Sequence, residues 1–77
     1  MSLEEDLTKI GQRSGALALE NIIIFLGKIQ TGEPGVKQIC MESVYRFIEQ
    51  QAEYGNHYPS LREEIEKYRE QINQGTE

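Results

Sequence analysis

Ala16-Leu-Ala-Leu-Glu-Asn-Ile-Ile-Ile-Phe-Leu-Gly-Lys-Ile29 is the densest run of large aliphatic side chains in the chain, and its reading decides the fold. On a helix turning about 100° per residue, Phe25, Ala18, Ile29, Ile22, Leu26, Leu19, Ile23 and Ala16 fill an arc of roughly 180°. Leu17 and Ile24 form a second apolar strip outside that arc. Only Glu20 with Gly27, and Asn21 with Lys28, leave polar slots. A helix on the surface of a domain carries one apolar stripe. A helix that is apolar nearly all round has to be covered from several sides, by its own chain or by another. A strand over Ile22–Leu26 is the rival reading, since β-branched residues favour strands. No second β-rich run exists to pair with it. The stretch is also too short and too charged to span a bilayer, which takes about 20 apolar residues, so no membrane association is expected.

Working toward the N-terminus, Leu3, Leu7 and Ile10 share one helical face, and Glu4, Glu5 and Asp6 suit the positive end of a helix dipole. Ser2 is the natural N-cap. The spacing 3, 7, 10, 14, 17, 21, 24 reads as a heptad seam interrupted by Ser14 and Asn21. Gly11 and Gly15 predict either a bend or break near 12–15, or a close crossing by a neighbouring helix. Toward the C-terminus, Thr31-Gly32-Glu33-Pro34-Gly35 ends one helix and starts another. Gly32 suits a left-handed cap and Pro34 a first helical turn.

The next helix is expected over about 34–54, with Val36, Ile39, Cys40, Val44, Phe47 and Ile48 on its apolar face and Glu42 paired with Arg46. Gly55-Asn56 stops it. Ser60 and Glu63 fit a capping box for a last helix over about 60–74, striped by Leu61, Ile65, Tyr68 and Ile72. Gly75 closes that helix, and Thr76 and Glu77 are expected to fray. The predicted fold is therefore all-α: a single domain over 1–77, a bundle of three helices. It becomes four if the helix over about 3–30 breaks near 12–15. The hydrophobic helix is expected at the centre, and dimerisation completes the core.

Length sharpens that expectation. A 77-residue chain buries only about 60% of its unfolded surface, so its core is marginal. One cysteine, Cys40, cannot form an intrachain disulfide, and no Cys/His cluster suggests zinc. Cys40 reads as a small buried hydrophobe, which fits a reduced, cytoplasmic setting. Oligomerisation is the remaining route to stability, and a homodimer is the expected form. Leu17, Ile22, Ile24, Phe25 and Leu26 are its candidate interface residues.

The net charge of −5 disfavours direct contact with nucleic acid and suits a basic protein partner. The last helix opens Leu61-Arg62-Glu63-Glu64-Ile65-Glu66, whose three acids would repel phosphates. Met1–Glu5 has neither the basic n-region nor the apolar h-region of a secretory signal. The lone His57 lies in a turn with no nucleophile motif around it. An enzyme would have to assemble a pocket from Glu20, His57 and tyrosines. No enzymatic activity, cofactor or metal is expected. Tyr54, His57 and Tyr58 form a candidate recognition loop, against the plainer role of plugging the end of the bundle. The functional expectation is a regulatory or protein-interaction module of the adaptor, inhibitor or accessory-subunit kind. The alternative is a nucleic-acid-linked regulator, acting by dimeric DNA binding or by acidic mimicry of DNA toward a basic DNA-handling protein.

Overall fold

The computed structural model describes residues 2–75, so the fraying expected of Thr76 and Glu77 falls outside the described residues. The described chain is all-helical: α1 (Leu3–Ser14), α2 (Ala16–Thr31), α3 (Pro34–Glu53) and α4 (Pro59–Gly75). Each helix packs on its neighbour in the chain, and α1 closes the ring against α4. The result measures 38 × 21 × 19 Å. It is a four-helix arrangement in which α2 sits at one corner, flanked by α1 and α3. The expected central placement of this helix fails because the break in the first helical run creates a fourth wall. The core is then shared by four stripes: Ile10 from α1, Ile22 and Ile29 from α2, Cys40, Met41, Val44 and Ile48 from α3, and Leu61 and Ile65 from α4.

That break lies at Gly15, whose backbone adopts φ 93° and ψ 166°. Side chains are excluded from this region, so glycine alone lets α1 stop and α2 start in a new direction. The same residue ends the apparent heptad seam. Leu3 and Leu7 pack against the core and Ile10 is buried within it, whereas Leu17 and Ile24 beyond the break face outward. Gly11 does the other job foreseen for the pair. A Cβ there would stand 3.0 Å from Leu19 Cδ2, so the missing side chain lets α2 pack closely on α1. Gly15→Ala is expected to cost about 1–3 kcal/mol through backbone strain. A thermal melt should show Tm lower by at least about 4 °C. An unchanged Tm would mean the α1–α2 corner is not fixed by this residue.

Pro34 opens α3 as its position in sequence implies. Gly32 is extended, at φ −77° and ψ 171°, and not left-handed. Glycine is needed there for space, because a Cβ would collide with the Lys28 carbonyl oxygen. The i, i+4 ion pair expected between Glu42 and Arg46 does not form. Glu42 accepts a hydrogen bond from Gln38 Nε2 instead, at 3.0 Å.

The start of α4 differs most from the sequence expectation. The helix begins at Pro59, which leaves Ser60 inside the first turn and not at the cap. The cap comes from another helix. Asp6 of α1, only 1% exposed, accepts the Leu61 backbone N–H on Oδ2 at 2.9 Å. A carboxylate at this site serves one of the first-turn donors and complements the helix dipole. Ser2 caps α1 as expected, accepting the Glu5 N–H at 3.2 Å.

Candidate functional site

The core side of α2 is narrow. Ile22 and Ile29 are buried, and Ala18, Leu19, Phe25 and Leu26 pack against the core with part of their surface showing. On the wheel, Leu17, Glu20, Asn21, Gly27, Lys28 and Thr31 all fall within about 60° of Ile24, on the side facing away from Ile22 and Ile29. Leu17 is 76% exposed and Ile24 52% exposed at the middle of this outward face. Ile23, also exposed, widens it on one flank.

A second strip comes from α3. Its core stripe is centred on Cys40, Val44 and Ile48, and Tyr45 lies on the side that meets α4. Val36 falls on the other flank, about 80° from that centre, and is exposed, as is Ile39. Ile39 was expected on the apolar face of this helix and instead lies about 140° from the centre of its core stripe.

The five expected interface residues are thus divided. Leu17 and Ile24 are displayed. Ile22 is spent inside the subunit's own core and has no surface left for a second chain. Phe25 and Leu26 are half-buried. The sequence reading did not foresee that Ile23, Val36 and Ile39 would be exposed. Ile23 looked like part of the core arc, and the two α3 residues looked like part of an apolar face.

Gly27 is the odd residue of the α2 face. It lies in the helix interior, where glycine costs roughly 1 kcal/mol relative to alanine. A Cβ built there meets nothing within 4 Å. Neither a turn nor a close contact inside the subunit accounts for it. Glu20 and Lys28 flank Ile24 by one helical turn on either side, and both are exposed. Neither belongs to an ion pair among the described residues.

The opposite seam, between α3 and α4, is internally satisfied. Arg62 Nη2 donates to Glu49 Oε1 at 2.6 Å. That bond raises the Arg62 pKa above its already high ordinary value, so the charge persists at any working pH. The Arg62 and Arg69 guanidiniums lie 5.6 and 5.1 Å from the centre of the Tyr45 ring, within cation–π range.

The expected recognition loop separates into different roles. Tyr58 is 1% exposed and stacks on Phe47, with ring centroids 6.3 Å apart and planes 15° apart. Tyr54 is 74% exposed, and His57 is exposed as well. Gly55, at φ 81°, turns the chain here. Asn56 fixes the turn, accepting from Arg13 Nη1 at 3.2 Å and donating to Gln51 Oε1 at 3.0 Å. A small cavity of about 160 Å³ is lined by His57, Tyr58, Asn56 and Arg62, and Glu20 does not contribute to it. Among the described residues, no group of three or more His, Cys, Asp or Glu side chains is placed to hold a metal ion. No described helix is long and apolar enough to cross a membrane. Comparison with protein-family models, with curated proteins and with solved structures gave no match.

Proposed function

We propose that this chain is a non-enzymatic protein-interaction module that works as a helical homodimer through the outer face of α2. The observation that carries the reading is the exposure of Leu17 and Ile24 on the side of α2 opposite its core stripe. Large aliphatic side chains displayed on one helix face of so small a protein, with Ile23 beside them, suit an association surface. At the α3–α4 seam the cations Arg62 and Arg69 are already engaged, with Glu49 and with Tyr45. Arg62, the base nearest the start of α4, is held in that seam, which favours a protein partner over a phosphate backbone. Regulation in a cytoplasmic setting, with a basic partner on the acidic surface, is the wider role this reading supports.

The size of the face sets the expected strength. A 16-residue helix is about 24 Å long and about 10 Å wide. That strip alone is well under the roughly 800 Å² per partner of a standard interface, so side chains flanking it have to contribute. Affinity of about micromolar order is expected from such a face. Sedimentation equilibrium on the full chain should therefore show a mass approaching twice 8.9 kDa at hundreds of micromolar. Leu17→Asp combined with Ile24→Asp should give a monomer with unchanged far-UV circular dichroism, since both side chains are exposed. A wild-type chain that stays at 8.9 kDa throughout would overturn the homodimer.

A further inference from the structure

The homodimer reading leaves the arrangement of the two copies open, and three features of α2 bear on it. Gly27 weakens the helix without serving the subunit, since a side chain there would meet open space. Such a residue fits a place where something from outside comes close. Glu20 and Lys28 carry opposite charges, belong to no ion pair among the described residues, and lie one turn to either side of Ile24. Ile24 itself sits at the middle of the exposed strip, between Leu17 and Thr31. Thr31 already donates its hydroxyl to the Gly27 carbonyl at 2.9 Å.

We propose that the occupant of this face is a second copy of the chain, with the two α2 helices antiparallel across a two-fold axis beside Ile24. A two-fold contact uses the same patch on both subunits, and a residue next to the axis meets its own counterpart. Ile24 then packs on Ile24. Seven residues away, Leu17 comes level with Thr31 of the second copy. Glu20 lies over Gly27 of the second copy, where the missing side chain leaves room for the carboxylate to reach the adjacent Lys28. The axis repeats this contact, so the interface holds two Glu20–Lys28 pairs. With the helices parallel, Glu20 would come level with Glu20 and Lys28 with Lys28, and like charges would face each other twice. The helix dipoles also oppose the parallel arrangement.

This geometry rests on the homodimer reading, and charge reversal separates the two. Glu20→Lys alone and Lys28→Glu alone should each weaken the dimer roughly tenfold in Kd at low salt. The first does so although it reduces the net charge from −5 to −3, which by itself would favour association. The double variant Glu20→Lys with Lys28→Glu should restore wild-type affinity. Gly27→Leu should abolish dimerisation while leaving the thermal stability of the monomer unchanged or higher, because leucine is a better helix former facing open space. A wild-type dimer whose Kd is indifferent to both single reversals and to Gly27→Leu would overturn the antiparallel arrangement and leave the homodimer standing. Absence of any wild-type dimer would overturn both.

Discussion

Tyr58→Ala is expected to remove about 3–5 kcal/mol of stability, the cost of emptying a large aromatic site in a packed interior. A domain of 77 residues holds roughly 4–12 kcal/mol in total. The variant should therefore melt at least about 12 °C lower and be partly unfolded at room temperature. The ring is 1% exposed, stacks on Phe47 and sits immediately before the first turn of α4. Losing it opens the end of the bundle where α3 turns back into α4. Tyr58→Phe should behave differently. The Tyr58 hydroxyl is buried and has no hydrogen-bond partner among the described residues. A buried, unsatisfied polar group is destabilising by about 1–3 kcal/mol, so its removal should be neutral or raise Tm by several degrees. Denaturant unfolding followed by circular dichroism reads both variants. A clear loss of stability in Tyr58→Phe would show that the hydroxyl is bonded in solution, and a mild Tyr58→Ala would show that the ring is not part of the core.

Much of the architecture was legible because backbone chemistry announces it locally. Pro34 marks the start of α3, Gly55 turns the chain after it, and the apolar periods of α1 and α4 are single stripes that leave little choice of face. The break in the first helical run was placed near 12–15 by its glycines, and Gly15 realises it with a backbone that only glycine adopts. Which side of α2 would remain outside was only half legible. Periodicity separates Leu17 and Ile24 from the main arc, and both are exposed. It cannot tell Ile23 from the core, because the edge of an arc is hidden or shown according to where the neighbouring helices fall. Ile39 misled for the same reason on α3: it looked like part of a broad apolar face, of which the neighbours cover only the Cys40, Val44 and Ile48 side.

Contacts distant in sequence were the least legible. Asp6 read as one of three acids in a first turn, interchangeable with Glu4 and Glu5. Its neighbours held the distinguishing signal: on the helical wheel Asp6 falls about 40° from Ile10, inside the apolar stripe of α1. A carboxylate at such a position needs a hydrogen-bond donor, and helix N-termini supply them. The identity of that N-terminus, 55 residues away, could not be read from local pattern. The Ser60–Glu63 spacing failed in the complementary way. Capping requires Ser60 to lie outside the helix, and Pro59 already begins it.

Asp6→Ala tests that long-range cap. The change deletes the acceptor for the Leu61 N–H and leaves a buried donor unpaired at the start of α4. Hydrogen bonds to charged groups contribute about 1.5–3 kcal/mol and N-caps about 0.5–2 kcal/mol, so a loss near 2 kcal/mol is expected. For a domain of this size that corresponds to a fall in Tm of about 8–16 °C. Asp6→Asn keeps an oxygen for Leu61 but gives up the negative charge at the helix N-terminus, and should lose about half as much. Hydrogen exchange places the effect. The Leu61 amide should lose protection in Asp6→Ala by more than amides in the middle of α3, because the opening is local to the α4 terminus before it is global. Since Asp6 also joins α1 to α4, where the ring of helices closes, amides in the first half of α1 should follow. Equal protection at Leu61 in the alanine variant and the wild type would mean the carboxylate is not the cap. Uniform loss across all four helices would mean that its contribution is to the core as a whole and not to this junction.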